Sequence, residues 1–286
     1  MRADVSVVVP TIGRPRLLRD LLASLAACDP GPSEILVVDQ TTERVSQPVV
    51  EQYATHAARI VPCDGSGVAR ARNVGLERAS HEIVLYTDDD CTVARDWVGR
   101  AVECMRARPE GIVTGRVLAA GDPDRVPSTK QHAEPHDYTG ERVFDVLFSG
   151  NMAVPRSRVL GLGGFDEALS PAEDNDLCYR WLRAGFPLRY EPSMIVWHHD
   201  WRTASALDRL AVDYARGQGA FYGKHIRGGD LRMLAFAARD LVAGLRGTAA
   251  AWAHGRENGF DWRRGVLRGL PAGLLDGLRW TEGSTG

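Results

Sequence analysis

Residues Ile83-Val84-Leu85-Tyr86-Thr87-Asp88-Asp89-Asp90-Cys91 decide the fold, because they form an apolar run that ends in three consecutive carboxylates. An apolar run of this length is typical of a buried strand. Three adjacent acids repel one another, so the cluster is costly unless water or a cation accepts the charge. Ligands of open α/β sheets bind at the carboxyl ends of strands. The stretch predicts a divalent-metal site that holds a phosphorylated ligand, and a solvated acidic turn is the alternative.

Length, charge and cysteine content bound the class of protein. The chain of 286 residues can bury one large core with an appendage, and its net charge of −2 argues against a general nucleic-acid binder. Residues 202–280 are basic, with 13 Lys+Arg against 7 Asp+Glu. The five cysteines include no CxxC pair, so no disulfide framework is predicted. Without a signal peptide or an apolar stretch long enough to span a membrane, the cytosol is expected.

The N-terminal segment has the pattern of a βαβ unit. Residues 5–10 and 35–39 have the β-branched composition of strands, and leucines at helical spacing lie over 17–25. Strand, helix and strand at this spacing predict parallel strands. Asp39 would then end its strand as Asp88 does, where it either caps a turn or accepts an N–H group from a nucleobase.

A glycine-rich turn at 64–67 leads into a predicted helix over 68–79. Free N–H groups at such a helix start bind anions, although the segment fits neither GxGxxG nor the P-loop pattern. Arg70 and Arg72 on this helix either pair with phosphate or are solvated.

Further elements are predicted downstream: a helix over 97–107, strands over 111–118, 144–148 and 194–197, and a long loop over 119–141. Long loops inside compact domains are usually functional or disordered. His132 and His136 of this loop are expected to be exposed. His198 and His199 follow the last strand, where the pair is as consistent with metal ligation as with a structural role.

An acidic segment opens another predicted helix. Ser170, Pro171 and Glu173 form a capping-box signature, which gives Glu173 a structural role. Asp174 and Asp176 lie in the first turn, where the helix dipole favours ionised carboxylates. An acid held ionised near neutral pH is a candidate general base.

The chain from 203 onward has a helical pattern with regular arginines. Arg232, Arg239 and Arg246 are seven residues apart on one helix. The same helix carries an apolar stripe made of Leu231, Leu234, Ala238, Leu241 and Leu245. Either this helix packs on the catalytic body, or it lies on anionic lipid. Residues 260–280, with Arg263, Arg264 and Arg268, repeat the pattern more weakly.

The order of these segments resembles a family 2 glycosyltransferase of the GT-A fold. The matching pieces are VSVVVPTIGRPRLLRDLL, ILVVDQTT, GVARARNVGL, IVLYTDDDC, SGNMAVPRS, GGFDEAL, AEDNDLCYRWLRAG and MIVWHHD. Together they cover about residues 5–200. YARGQGAFYGKHIRGGD in the C-terminal part resembles, more loosely, the bacterial rhamnosyltransferase-like branch.

The resemblance implies an α/β protein with the GT-A (nucleotide-diphospho-sugar transferase) fold. This fold has a mostly parallel central sheet flanked by helices, here with a C-terminal helical extension. The implied domains are a catalytic domain over 1–202 and a helical region over 203–286. The donor-binding half would end near residue 118, and 119–202 would form the acceptor half.

The resemblance also implies a metal-dependent donor site for a nucleotide-diphosphate sugar. Asp88 and Asp90 would bind Mg²⁺ or Mn²⁺, with His198 completing the metal shell. Asp39 would accept the N3–H of uracil or thymine, which favours UDP or dTDP. The implied donor-binding residues are Pro10, Thr11, Arg14, Asp39, Arg72, Asp88 and Asp89. One departure is Gln40-Thr41 after Asp39, where relatives more often have a second acid or Asn and then a small residue.

For catalysis, the resemblance makes Asp174 the general base of an inverting hexosyl- or deoxyhexosyltransferase. Asn151, Glu173 and Asp176 would contact the acceptor, which is a glycan, a lipid-linked glycan or a natural product. The resemblance leaves open whether the C-terminal helices contact the inner face of a membrane. It also leaves open whether the chain forms a homodimer, and it implies no nucleic-acid partner.

The rival interpretation is a haloacid-dehalogenase-type phosphohydrolase that uses Asp88 and Asp90. Residues 88–93 fit its strand-end motif, but three predicted strands, over 5–10, 35–39 and 60–61, precede a motif that usually opens that domain. This alternative also leaves Asp39 unexplained. A nucleotidyltransferase would need a more basic and glycine-rich loop after the first strand than PTIGRP provides, and a non-catalytic sugar-nucleotide binder would not need Asp174.

Overall fold

The computed structural model describes residues 1–140, 143–169, 171–254 and 262–279, with the side chains of 247–254, 263 and 264 left out. The chain packs as two units. The first unit comprises 1–120, 128–167 and 174–199, and the second comprises 121–127, 168–173 and the described residues from 200 onward.

The first unit contains a nine-stranded sheet. Its strands are β1 (Arg2–Thr11), β2 (Gly31–Asp39), β3 (Ala58–Pro62), β4 (Ile83–Thr87), β5 (Cys91–Val93), β6 (Ile112–Ala120), β7 (His136–Tyr138), β8 (Asn151–Pro155) and β9 (Leu188–His199). The helices that accompany them are α1 (Pro15–Ala26), α2 (Gln47–Glu51), α3 (Val68–Arg78), α4 (Trp97–Ala107), α5 (Arg156–Gly161) and α6 (Glu173–Arg183).

The order of the strands is β3-β2-β1-β4-β8-β6-β9-β5, and β7 pairs with β9. The first four strands in the chain are mutually parallel, which confirms the predicted βαβ unit. β8 runs antiparallel to both β4 and β6, so the sheet is mixed beyond β4. The predicted α/β class and sheet flanked by helices are confirmed.

Two apolar clusters cover the two faces of the sheet. On one face, leucines of α1 pack with Trp97 and other apolar residues of α4. On the other face, α3, α5 and α6 contribute Leu76, Val159 and Trp181. Helices on both faces explain why the central strands are apolar at nearly every position, because neither face meets water.

The strand predicted over 144–148 is wrong. Phe144, Leu147 and Phe148 are buried, but they lie in an irregular segment before β8. Side chains satisfy part of the backbone: Thr114 Oγ1 accepts from the Phe148 N–H at 3.2 Å, and Lys130 Nζ donates to the Asp145 carbonyl. The apolar run therefore reports burial rather than strand pairing.

The predicted capping box is also wrong. Ser170 lies outside the described residues, Pro171 lies in a turn, and α6 begins only at Glu173. Ala172 has a left-handed φ of 98°, which breaks the helix before Glu173. His132 and His136 are exposed, as predicted.

The second unit contains α7 (Ala204–Arg227), α8 (Arg232–His254) and α9 (Trp262–Arg279). Four glycines of α9 recur every four residues and face α7, namely Gly265, Gly269, Gly273 and Gly277. A Cβ at any of them would collide with the α7 backbone, so the two helices touch backbone to backbone. No helix among the described residues is long and apolar enough to cross a membrane.

Candidate active site

The site lies where the carboxyl ends of β1, β2 and β4 meet. Thr11 and Asp39 are paired residues at the ends of β1 and β2. β4 lies on the other side of β1 and is followed directly by Asp88. Loops at this edge can therefore hold one ligand across three strands, which is the usual ligand position in open α/β sheets.

Two arginines pair with the three consecutive carboxylates. Arg14 pairs with Asp89 and, at 2.9 Å, with Asp90. Arg72 Nη2 lies 2.8 Å from Asp88 Oδ1. From the sequence, water or a metal ion was expected to balance the negative charge of these carboxylates. In the structure, guanidinium groups balance part of it.

Asp88 and Asp89 have different partners, although both lie in the segment that follows β4 and not in a strand. Asp89 is fully buried and accepts a hydrogen bond from Thr11 Oγ1 at 2.5 Å in addition to those from Arg14. Burial raises the pKa of Asp89 to about 6, and the charge of Arg14 opposes that rise. Asp89 therefore fixes the loop carrying Thr11 and Arg14, and any role in donor binding would act through that loop.

Asp90 lies next to the first of the two adjacent histidines. His198 Nε2 is 3.5 Å from Asp90 Oδ2, because β5 and β9 pair Cys91 with His198. His199 instead contacts Thr92 Oγ1 at 3.1 Å. The geometry therefore favours His198 over His199 as the partner of Asp90.

The residues fit a divalent cation that is held jointly with a donor. Among the described residues, no three His, Cys, Asp or Glu side chains converge as a ready-made metal cage. Asp88 and Asp90 nevertheless supply the hard oxygens that Mg²⁺ and Mn²⁺ prefer, and His198 supplies a nitrogen. Cations of this kind are usually bound by one or two carboxylates plus substrate phosphates.

Gly150 has no side chain, so the Asp88 carboxylate can lie directly against its backbone. A Cβ at this position would lie 2.6 Å from Asp88 Oδ2. The Asp88 side chain keeps 22% of its surface exposed, whereas that of Asp90 keeps 3%. Asp88 is therefore the carboxylate of the cluster that a ligand reaches most directly.

Asp39 combines a satisfied oxygen with an unsatisfied one. Its Oδ1 accepts from the Thr41 N–H at 2.8 Å and from Thr41 Oγ1 at 2.7 Å. Its Oδ2 is buried and has no hydrogen-bond partner among the described residues. A buried acceptor without a partner is costly unless a ligand donates to it.

Gln40 occupies the position where relatives more often have a second acid or Asn. Its Nε2 donates to the carbonyls of Gly65 and Gly67 at 3.2 and 3.1 Å. The side chain thereby ties the end of β2 to the turn before α3.

Asp174 lies on α6 in an environment that tunes its acidity. Burial raises the pKa of its carboxyl, while the charge of Arg72, the N–H of Asn175 at 2.9 Å and the charge of Lys130 oppose the rise. Arg72 is itself buried, and its guanidinium carbon lies 5.8 Å from the centre of the Phe165 ring. One arginine therefore pairs with Asp88 and also acts on Asp174.

Asn151 does not fit the predicted acceptor contact. Its side chain is fully buried, with Nδ2 donating to the carbonyls of Arg116 and Met194, both at 2.9 Å. Its Oδ1 accepts from Trp97 Nε1 at 2.8 Å. The amide therefore joins β6, β9 and α4 instead of facing a ligand.

Asp176 does not fit its predicted acceptor contact either. It is fully buried and lies 2.6 Å from Arg180 Nε one helical turn later. Arg180 in turn donates to the carbonyls of Leu162 and Gly164. The pair secures the loop before α6. Glu173 is buried at the start of α6, and Pro10 is buried at the end of β1.

Two residues near the predicted acids were missed at the sequence level. Gly150 was not predicted as a site residue, although glycine is the residue that permits the closest approach of the backbone to another group. Lys130 was not among the predicted site residues, yet its charge acts on Asp174. The composition could have drawn attention to Lys130, because the chain has only one other lysine, Lys224.

Comparison with known proteins identifies relatives over most of the chain. The model of the family described as "Glycosyl transferase family 2" matches residues 6–160, more than half of the sequence. A pre-mycofactocin glycosyltransferase of Mycobacterium tuberculosis is 29% identical over 216 residues, which are 70% of this chain and 43% of the relative. The chain thus spans less than half the length of that relative.

Solved structures of glycosyltransferases share the fold. The mannosyltransferase PcManGT from Pyrobaculum calidifontis, in complex with GDP-Man and Mn²⁺, superposes with a TM-score of 0.65 at 20% identity. That match covers 98% of this chain and 88% of the other. TarS 1–349 of S. aureus, in complex with UDP-GlcNAc, gives a TM-score of 0.59 at 18% identity over 82% of this chain and 76% of the other. These likenesses show the GT-A fold.

Proposed function

The chain belongs to glycosyl transferase family 2, and from that premise we propose a metal-dependent, inverting transfer of a sugar from a nucleotide-diphosphate sugar to an acceptor hydroxyl. The observation that carries the proposal is the position of Arg72, which pairs with Asp88 at 2.8 Å and acts on Asp174. A donor-side carboxylate and a candidate base therefore share one cation.

The donor phosphates are proposed to lie against Asp88, Asp90 and His198. Bound there, Mg²⁺ or Mn²⁺ would neutralise the charge that develops on the departing nucleoside diphosphate. The part of the Asp88 side chain that remains exposed would face the diphosphate, and Arg14 keeps Asp89 and Asp90 in place. Thr11 holds the loop that contains Arg14 through its bond to Asp89.

The nucleobase is proposed to donate an N–H to Asp39 Oδ2. This atom is buried without a partner among the described residues, and Thr41 fixes the other oxygen. Uracil and thymine each present an N3–H, so UDP or dTDP is the favoured nucleotide. Competition binding tests this choice: UDP or dTDP should bind more tightly than GDP, and the reverse order would overturn it.

Asp174 is proposed as the general base that takes the proton of the acceptor hydroxyl while the anomeric carbon inverts. Asp174→Asn removes the base but keeps the shape, so turnover should fall by about 10²–10⁴-fold. Donor affinity should change little. Asp96→Asn, at an exposed acid just before α4, is the matched control and should keep full activity. Substantial turnover by Asp174→Asn would move the base to Glu173.

Thermal shifts with nucleotide sugars test donor and metal together. A ligand that binds only the folded state raises its stability with concentration. We expect one class of nucleotide sugar to raise the melting temperature in the presence of Mn²⁺ and much less in its absence. Asp88→Asn should abolish the metal-dependent part. Equal shifts with and without the metal would refute metal dependence.

The acceptor is proposed to be a hydroxyl of a glycan, a lipid-linked glycan or a small natural product, and the sugar a hexose or deoxyhexose such as rhamnose. The activity is proposed for the cytoplasm, at the inner face of a membrane, with a homodimer compatible with it and no nucleic-acid partner. Product analysis by mass spectrometry and proton NMR with candidate acceptors would identify the sugar, the linkage and the anomeric outcome. Retained anomeric configuration would contradict the inverting mechanism.

A further inference from the structure

The second unit presents an exposed leucine stripe on α8. Leu231, just before the helix, and Leu234, Val242 and Leu245 within it are 66%, 50%, 45% and 58% exposed. At about 3.6 residues per turn these positions share one side of the helix with Ala238 and the half-buried Leu241. Large apolar side chains are common on surfaces singly, but a continuous row over four turns marks a contact surface.

The opposite side of α8 holds the helix within its unit. Met233 and Ala237 are buried there. Asp240 accepts a hydrogen bond from Tyr222 Oη of α7 at 2.6 Å. The helix therefore has a packed side already, and the leucine stripe is a second apolar side.

The charge beside the stripe is mainly positive, and Asp230 precedes its first leucine and accepts from the Arg232 N–H at 3.3 Å. Arg232, Arg239 and Arg246 recur every seven residues and are exposed along one edge of it. The only acid between 231 and 246 is Asp240, whose side chain is 13% exposed and engaged by Tyr222 and Arg239. An apolar stripe flanked by cations fits a surface that is apolar inside and anionic outside.

We propose that this face of α8 docks on the surface of a membrane that contains anionic lipid. The leucines would enter the interface between headgroups and acyl chains, and the three arginines would contact lipid phosphates. A second copy of the chain fits less well, because two such faces would bring rows of arginine together with few acids to neutralise them. The proposal goes beyond the transferase activity and is independent of it.

The test is flotation of the full chain with vesicles, in the absence of a donor. We expect binding to vesicles of phosphatidylcholine with phosphatidylglycerol, little binding to phosphatidylcholine alone, and weaker binding as salt rises. Leu234→Ser/Leu245→Ser should weaken binding by at least about tenfold. Arg232→Glu/Arg246→Glu should weaken it by at least about 20-fold, since each basic residue near such a surface contributes about fivefold.

Controls match each change elsewhere on the surface. Arg78→Glu/Arg106→Glu alters the net charge equally at exposed positions of α3 and α4, and Val45→Ser removes an exposed apolar side chain. Both controls should bind vesicles as the wild type does and melt at a similar temperature. Equal loss in the controls, or unchanged binding in the α8 variants, would overturn the proposal. So would a wild-type dimer in sedimentation that the leucine variants dissociate without any vesicle binding.

Discussion

At the residue scale, Arg72 explains how one buried cation serves two acids. It pairs with Asp88 at 2.8 Å, and its charge opposes the desolvation of Asp174. The guanidinium cannot lose its proton at physiological pH, so its charge always opposes the rise in the pKa of Asp174 while it pairs with Asp88. We infer that the donor side and the candidate base are electrostatically coupled through this side chain.

This coupling predicts the pH dependence of activity. The pKa of Asp174 is raised above its ordinary value, and a general base must be deprotonated. The acid limb of the kcat/KM profile should therefore lie at higher pH than that of an ordinary carboxyl. Arg72→Met removes the opposing charge and should move this limb to still higher pH, in addition to lowering activity.

Arg78→Met is the matched control for that shift, because Arg78 is an exposed arginine at the end of the same helix. Its profile should coincide with that of the wild type. If the acid limb of Arg72→Met stays in place while activity falls, Arg72 acts on the donor alone and the coupling is wrong.

Asn151 provides a second test at this scale. Asn151→Leu leaves Trp97 Nε1 and the carbonyls of Arg116 and Met194 without their partner. Each buried polar group left unsatisfied costs about 1–3 kcal/mol, so the free energy of unfolding should fall by more than about 2 kcal/mol. Chemical denaturation measures this. Gln52→Leu, at an exposed amide, should cost far less. A stable Asn151→Leu variant with a raised KM for the acceptor would instead support the predicted contact between Asn151 and the acceptor.

At the element scale, sequence patterns succeeded where one physical cause dominates. α4 is observed at the predicted residues, and β1, β2 and β4 lie where apolar runs predicted buried strands. Asp39 and Asp88 could be placed at one sheet edge because parallel strands end on the same side. Periodicity reports which side of an element is buried, and this information is local.

Predictions from the sequence differ from the structure where residues distant in the chain determine the conformation or the contacts of a segment. The segment 144–148 is buried without being a strand because Thr114 and Lys130 bind its backbone from elsewhere in the chain. Asn151 and Asp176 were assigned to an acceptor, whereas Trp97 and Arg180 engage them. A metal ion was expected to supply the positive charge that the acidic cluster requires. Arginines 75 and 16 residues away along the chain supply part of that charge.

The contact between α7 and α9 predicts an effect of size at a single glycine. A Cβ at Gly273 would collide with the Arg216 carbonyl of α7, so Gly273→Val must separate the helices. Overpacking of this kind costs about 1–3 kcal/mol or more. Ala272→Val places the same β-branched side chain at the adjacent exposed position and should cost less than about 1 kcal/mol. Equal costs measured by denaturation would show that helix propensity, not the contact, sets the effect.

At the scale of the whole molecule, the two units are interleaved along the chain. The sequence placed one boundary near residue 202, whereas segments 121–127 and 168–173 group with the residues from 200 onward. Within that unit Arg125 Nε lies 3.4 Å from Asp200, and its Nη2 donates to the Arg202 carbonyl at 2.5 Å. Gly217 packs so closely on Pro171 that a Cβ would collide with its carbonyl. The C-terminal helices are therefore not a simple appendage.

Truncation after His199 tests this interleaving. The shortened chain keeps the whole sheet but leaves 121–127 and 168–173 without the helices that they group with. Val126 and Leu169, which are 4% and 1% exposed, belong to those segments. We expect the melting temperature to fall by about 2–4 °C for each kcal/mol of packing lost, together with a greater tendency to aggregate. A chain ending at Arg279 is the control and should melt close to the full chain. If the chain ending at His199 melts at the temperature of the full chain and stays monomeric, the sheet unit is self-sufficient, and the two segments owe their conformation to it alone.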